Sequence, residues 1–277
     1  MRQVELHHGA ATDVGRVREV NEDAYLAVPP VYVVADGMGG HAGGDVASAI
    51  AVEEFGRMAE AGYDPTRGRD AVAGALDAAQ RRILEFADEQ ERHGIERRRS
   101  AGTTVVAALL VEEAGGPAWL LANLGDSRVY RFGDGRLDQV STDHSLVQEL
   151  VEAGQITPGQ VATHPDRNVI TRALGDDVGV QADYFVVPLA EAERIVLCSD
   201  GVSGMLDDDT IATILGEAAD PRDAADRLVA AAVVAGGEDN ATAVVVDVVG
   251  ISAEGADEAY DAERQRASLE EKLGGGS

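Results

Sequence analysis

This chain predicts a mixed fold of helices and strands, and three observations carry that reading. Short runs rich in valine, alanine and leucine recur at residues 31–35, 103–111, 118–124, 194–197 and 243–249, with the length and composition of buried strands. Between them lie stretches whose apolar residues return every three or four positions, the period of amphipathic helices. The composition, 45% hydrophobic and 26% charged over 277 residues, is that of a globular chain able to bury a substantial core.

In chain order, residues 4–12 read as a first strand. Residues 13–23 are charged and turn-rich, and two readings stay open there: a solvated loop, or an arginine placed for phosphate beside a carboxylate placed for a metal. Residues 24–28 and 31–35 read as strands joined by Pro29-Pro30, a hairpin connection. The second strand stops at Asp36 and meets a loop dense in glycine (Gly37, Gly39, Gly40, Gly43, Gly44). Glycine lets backbone approach closely and take positive φ, so such a loop can present an acid to a metal or a phosphate. Taken alone it is equally an ordinary strand-turn-helix.

Residues 45–62 and 70–94 read as two helices, the second with Val72, Leu76, Ala79, Ile83 and Phe86 on one face, and a polar break at 63–68 divides them. The arginine-rich residues 95–100 read as a solvated loop. Strands at 103–111 and 118–124 flank a hairpin turn, and the second runs into Gly125-Asp126-Ser127-Arg128 before strand character resumes at 129–132. Gly133-Asp134-Gly135 is a tight turn leading to a strand at 137–140. A short helix at 146–153 is followed by a polar loop at 154–168, long enough to act as a flap beside a site. Strands at 180–187 and 194–197 follow, the latter ending in Cys198-Ser199-Asp200-Gly201. Helices at 207–215 and 221–235 come next, the second with Asp220 as N-cap and Pro221 at its first position. Gly236-Gly237-Glu238-Asp239-Asn240 precedes the last strand, 243–249, and the chain then turns polar and acidic with a helical stretch at 262–273.

The net charge of −27 makes nucleic acid and anionic membrane surfaces poor partners. Cys198 is the only cysteine, which excludes an intramolecular disulfide and a structural zinc-thiolate site. The first residues lack the apolar core of a signal peptide, and no apolar run approaches the ~20 residues of a membrane span. The expectation is a soluble, cytoplasmic protein without a membrane span.

Asp36, Asp126, Asp200 and Asp239 each sit where an apolar strand meets a glycine-containing loop. One such acid is usually a turn residue; four point to strand ends converging on one acidic site. Clustered carboxylates repel unless cations neutralise them. Oxygen-only donors point to hard ions, Mg or Mn. Two such ions about 3.5–4 Å apart can bridge one water, lower its pKa and clamp an in-line displacement at phosphorus, and an arginine fork can hold the phosphate oxygens.

The ordered set RxxNED, VADGMGGHAGGDVAS, AGTT, GDSRVYR, TDHS, ITRALG, LCSDG and EDNAT resembles the bacterial branch of the metal-dependent protein serine/threonine phosphatases, the 2C-like (PPM) family. The resemblance covers roughly residues 4–249. It implies an α+β fold, a four-layer α-β-β-α sandwich with two central antiparallel sheets and a dimetal site in a cleft at one end. Residues 1–250 would form the catalytic domain and 251–277 an acidic, flexible tail.

Carried over residue by residue, the resemblance makes Asp36 the bridging ligand of two Mn or Mg ions. The Gly37 carbonyl would bind the second ion, and Asp200 and Asp239 the first. Asp23 would hold metal-bound water, and Asp126 with Asp200 would take a third, weaker ion. Arg18 would bind phosphate, and residues 146–168 would form the flap touching a protein substrate. The implied activity is hydrolysis of phosphoserine and phosphothreonine by a metal-bridging water or hydroxide, opposing a bacterial Ser/Thr kinase, in a monomer. Two alternatives are a non-catalytic pseudophosphatase and a dedicated partner-switching phosphatase acting on one anti-sigma antagonist.

Two positions depart from the family pattern. Met38 stands where eukaryotic members carry a histidine proposed as general acid, and His41 is shifted along the loop, so the proton donor stays open. Gly204 stands where some relatives have another acid near the third ion. Cys198 reads as core, since no phosphate-cradling loop ending in arginine follows it. Asp143-His144-Ser145 has triad residue types but adjacent in sequence, the wrong geometry for a relay, and reads as structure at the flap base. His7, His8, His93 and His164 read as surface residues.

Overall fold

The computed structural model describes residues 3–39, 43–93, 101–176 and 179–252. The arginine-rich loop, His41 and residues 253–277 of the acidic tail named above lie outside these residues; Ile251 and Ser252, assigned to that tail from the sequence, instead end the last strand, where they pair with Val4 and Gln3. In chain order the elements are β1 (Gln3–Asp13), β2 (Asp23–Val28), β3 (Val31–Met38), α1 (Gly44–Ala61), α2 (Gly68–Arg92), β4 (Gly102–Thr103), β5 (Val105–Glu113) and β6 (Gly116–Leu124). There follow β7 (Arg128–Gly133), β8 (Arg136–Gln139), α3 (Leu146–Glu152), β9 (Asp183–Pro188), β10 (Arg194–Cys198), α4 (Asp200–Ser203), α5 (Asp208–Glu217), α6 (Pro221–Ala235) and β11 (Ala241–Ser252).

The strands build two antiparallel sheets. One has the order β1-β11-β10-β7-β8; the other is β2-β3-β5-β6-β9, with β4 beside β3. Successive strand residues point to opposite faces, and β3 shows the consequence. Val31, Val33 and Ala35 pack under α1 and α2 with Phe55, Leu76 and Ile83. Tyr32 and Val34, with Trp119 and Leu121 of the same sheet, face the other sheet and its Ile195, Leu197 and Val244. A third core lies between the outer face of the first sheet and α5 and α6, around Val196, Val245, Ile211, Leu215 and Leu228. Both faces of the central strands are therefore buried, which explains their unbroken apolar runs. These are the four layers the sequence led us to expect. Pairing of β1 with β11 from Gln3↔Ser252 to Asp13↔Ala241 joins the two ends of the described chain.

Several boundaries differ from the sequence reading, each for a tertiary reason. β3 does not stop at Asp36 but runs to Met38, because β4 pairs with Gly37 and Met38. β9 begins at Asp183 rather than 180, where its pairing with Asn123 of β6 begins. The polar loop at 154–168 contains a 3-10 turn, Pro158–Thr163, that starts with Thr157 and Gln160 capping each other. Asp200 opens the one-turn helix α4, too short to leave a periodic signal. His8 is half-buried and packs on the Tyr32 ring, with centroids 5.6 Å apart. Cys198 is core as expected, and burial pushes its thiol up to about 12.

Candidate active site

Both sheets deliver acids to the same end of the sandwich. Asp23 opens β2 and stands opposite Asp36 in the β2–β3 register. Asp200 follows β10, Asp239 precedes β11, and β10 and β11 pair so that Cys198 faces Ala243. Asp126 lies in the connection from β6 to β7, and β7 in turn places Arg128 opposite Cys198. The Ser199 hydroxyl donates to Asp23 Oδ2 at 2.8 Å, joining one sheet to the other at the site.

Asp36 is held by its backbone. Its N–H donates to Thr104 Oγ1 at 3.2 Å, while its carbonyl accepts from the Thr104 N–H and the Thr103 hydroxyl, each at 2.9 Å. This is the work of the AGTT segment, whose role was not legible in the sequence. The next position must be glycine, because a Cβ on Gly37 would lie 2.2 Å from the Gly44 carbonyl oxygen and 2.4 Å from that of Glu22.

Arg18 sits on the loop between β1 and β2 and donates from Nη2 to Asp239 Oδ2 at 2.6 Å, with half of its side chain exposed. The loop is stapled by Asn240, which is 5% exposed. Asn240 Oδ1 accepts from the Glu22 N–H at 2.8 Å, and Nδ2 donates to the carbonyls of Val14 and Val20, each at 3.0 Å. Asn240 and Glu22 were not singled out from the sequence; the only signal was their place directly beside Asp239 and Asp23.

Four of the acids share one field. Burial, then the charges of Asp23, Asp200 and Asp126, holds Asp36 well above the usual carboxylate range. Burial and the nearby Asp200 push Asp126 up to about 7. Burial raises Asp23 to about 6, and burial and then Asp239 raise Asp200. Glu22 is raised too, by burial and then by Asp45.

These residues fit a divalent-cation site by two tests. Asp23 Oδ1 and Asp126 Oδ1 are buried with no hydrogen-bond partner, a costly arrangement unless something else satisfies them. The donors are all oxygen, the chemistry of Mg and Mn. Among the described residues no three Asp, Glu, His or Cys side chains already form a ready ligand set. Beside them a cleft of about 560 Å³ opens, lined by Asp126, Asp200 and Asp239, by Pro158 and Val161 of the polar segment 154–168, and by Leu206.

A two-sheet sandwich with an all-oxygen acidic hollow and an arginine at its edge defines the class of metal-dependent phosphate-ester hydrolases. The chain belongs to the protein phosphatase 2C family, whose model, Protein phosphatase 2C, matches residues 16–234. It is 34% identical over 254 residues to the serine/threonine phosphatase Stp of Listeria welshimeri, covering 87% of this chain and 96% of that protein. It is 36% identical over 247 residues to the serine/threonine protein phosphatase PstP of Mycobacterium tuberculosis, covering 88% of this chain and 45% of that one. A crystal structure of the catalytic domain of PstP in complex with two manganese ions superposes with a TM-score of 0.74 at 33% identity, covering 90% of this chain and 100% of that one.

Proposed function

We propose that residues 1–250 form one catalytic unit that hydrolyses phosphoserine and phosphothreonine esters in proteins, using two Mn or Mg ions and a third, weaker one. The observation that carries this reading is the mutual field of Asp23, Asp36, Asp126 and Asp200 in one all-oxygen hollow. When bound, the ions supply a nucleophilic water at neutral pH and neutralise charge on the phosphoryl group. Asp36, the Gly37 carbonyl, Asp200 and Asp239 would hold the two ions, and Asp126 with Asp200 would hold the third. Asp23, with Oδ2 on the Ser199 hydroxyl and Oδ1 free, orients water at the edge of the set.

Arg18 uses one N–H on Asp239, and its remaining donors are available to phosphate oxygens. The substrate class is a phosphoprotein produced by a Ser/Thr kinase, acted on by a monomer. Among the described residues no helix is long and apolar enough to cross a membrane.

The test is phosphate release from phosphothreonine and phosphoserine peptides in Mn, then in excess EDTA. Release that stops with EDTA is expected; a folded, Mn-loaded protein that releases none would leave a non-catalytic binding module. Arg18→Ala is expected to raise KM about 10- to 150-fold, the equivalent of losing one charge-assisted hydrogen bond of about 1.5–3 kcal/mol. An unchanged KM would remove Arg18 from the phosphate site.

A further inference from the structure

The Gly125–Asp126 turn is gripped from two sides. On one side, Ser127 Oγ shares a 2.7 Å hydrogen bond with Thr104 Oγ1, and Thr104 is the residue that holds Asp36. Gly125, at φ +117°, is pressed so closely on Thr104 that a Cβ would lie 2.5 Å from that side chain. On the other side stands His144, 4% exposed. Its N–H donates to the Gly125 carbonyl at 2.9 Å, and its Nδ1 accepts from the Gly125 N–H at 3.1 Å. Both backbone groups of the residue before Asp126 are thus bound to one histidine.

Those bonds fix the ring. With Nδ1 accepting, the proton of the neutral imidazole sits on Nε2, which donates to Asp183 Oδ2 at 3.1 Å. Arg172 Nη1 lies 3.2 Å from that nitrogen and reaches Asp183 Oδ1 at 3.4 Å, so Asp183 stands between the two donors. His144 also stands at the base of the flap: the Thr171 N–H donates to the His144 carbonyl at 2.9 Å, and the neighbouring Ser145 pairs with Ile170. Next to it, Asp143 takes three hydrogen bonds from the Arg128 guanidinium at 2.7–3.0 Å, just beyond the same turn.

We propose that His144 is a positioning residue: through Gly125 it sets where the Asp126 carboxylate stands, and it ties that placement to the base of the flap. The proposal rests on the reading of Asp126 as a ligand of the weaker ion. It predicts that the ring nitrogen facing Gly125, rather than the bulk of the side chain, controls that ion. Asparagine keeps an acceptor near the position of Nδ1; glutamine keeps a group only near Nε2.

The experiment is a calorimetric Mn titration of the wild type, Asp126→Asn, His144→Gln and His144→Asn. The expected result is that Asp126→Asn abolishes the weakest binding event and His144→Gln weakens it roughly 10- to 100-fold, the range for residues that orient a metal ligand. The tighter events stay unchanged and His144→Asn stays near wild type. A general structural role would move every event together and would not be rescued by asparagine. Wild-type binding of the weakest ion in a folded His144→Gln overturns the proposal. If Asp126→Asn leaves all events in place, the assignment of Asp126 fails instead, and the proposal with it. Should His144→Gln not fold, Asp183→Ala, at a half-exposed side chain, frees the ring and is expected to weaken the same event several-fold; an unchanged isotherm overturns the proposal.

Discussion

Asp36→Asn is expected to abolish phosphate release and, at the same time, to raise the melting temperature of the metal-free protein. The first effect follows from the place of Asp36 among the acids: it is buried, Asp23, Asp200 and Asp126 all act on it, and the proposed reading gives it to both ions. Outer-shell changes at metal sites already cost roughly 10- to 100-fold, and loss of a shared ligand should exceed that. The second effect follows from the same charges. Burial without cations, and then the repulsion among these carboxylates, is why Asp36, Asp126, Asp200 and Asp23 are all raised. An amide at position 36 removes one repelling charge and offers Asp200 an N–H. A gain of about 1–2 kcal/mol is expected, as for other substitutions that relieve a functional site, or roughly 2–8 °C for a domain of this size. Added Mn at ~100 times its Kd should stabilise the wild type by about 2.7 kcal/mol and the variant far less. Thermal melts with and without Mn, read beside the phosphate assay, check both halves. An active variant, or a metal-free protein destabilised by the change, would remove Asp36 from the centre of the site.

Asn240→Ala is expected to be the most damaging change at a residue outside the ligand set. It removes one acceptor and two donors and leaves the Glu22 N–H and the Val14 and Val20 carbonyls without that partner. Each hydrogen bond contributes about 0.5–1.5 kcal/mol, so a loss of about 3 kcal/mol and a fall in melting temperature of roughly 10 °C are expected. Arg18 lies on the loop so released. The KM for a phosphopeptide should therefore rise even in Mn-saturated protein below its melting point. Asn240→Asp keeps the acceptor for Glu22 but sets a buried carboxylate oxygen against the Val14 and Val20 carbonyls beside Asp239, and should lose at least as much as alanine. A KM unchanged in Asn240→Ala would mean that Arg18 is placed by its contact with Asp239 alone.

The elements were largely legible because their signals are local. The continuous apolar runs of β3, β5 and β6 state that both strand faces are buried, and Asp220-Pro221 marks the start of α6 to the residue. The acids at strand ends were legible for a related reason: an aspartate between an apolar run and a glycine is a break in pattern visible without a structure. Their order along the chain also carried the family resemblance that the comparisons bear out.

What the sequence left undecided is set by contacts between distant segments. The extension of β3 past Asp36 depends on β4, 64 or more residues further along the chain. α4 is a single turn with no period to detect. Thr104 and Asn240 are polar residues of ordinary appearance, and His144 was read only as structure at the flap base; each acts by binding backbone that the chain brings to it only on folding. Thr104 holds Asp36, Asn240 holds the Arg18 loop, and His144 holds Gly125. The sequence by itself thus determined which acids and which arginine are present and on what kind of element. The tertiary structure decided that Asp23, Asp36, Asp126 and Asp200 share one electric field, and which neutral side chains fix them there, because hydrogen bonds and charge-charge interactions depend on distances that no local pattern encodes.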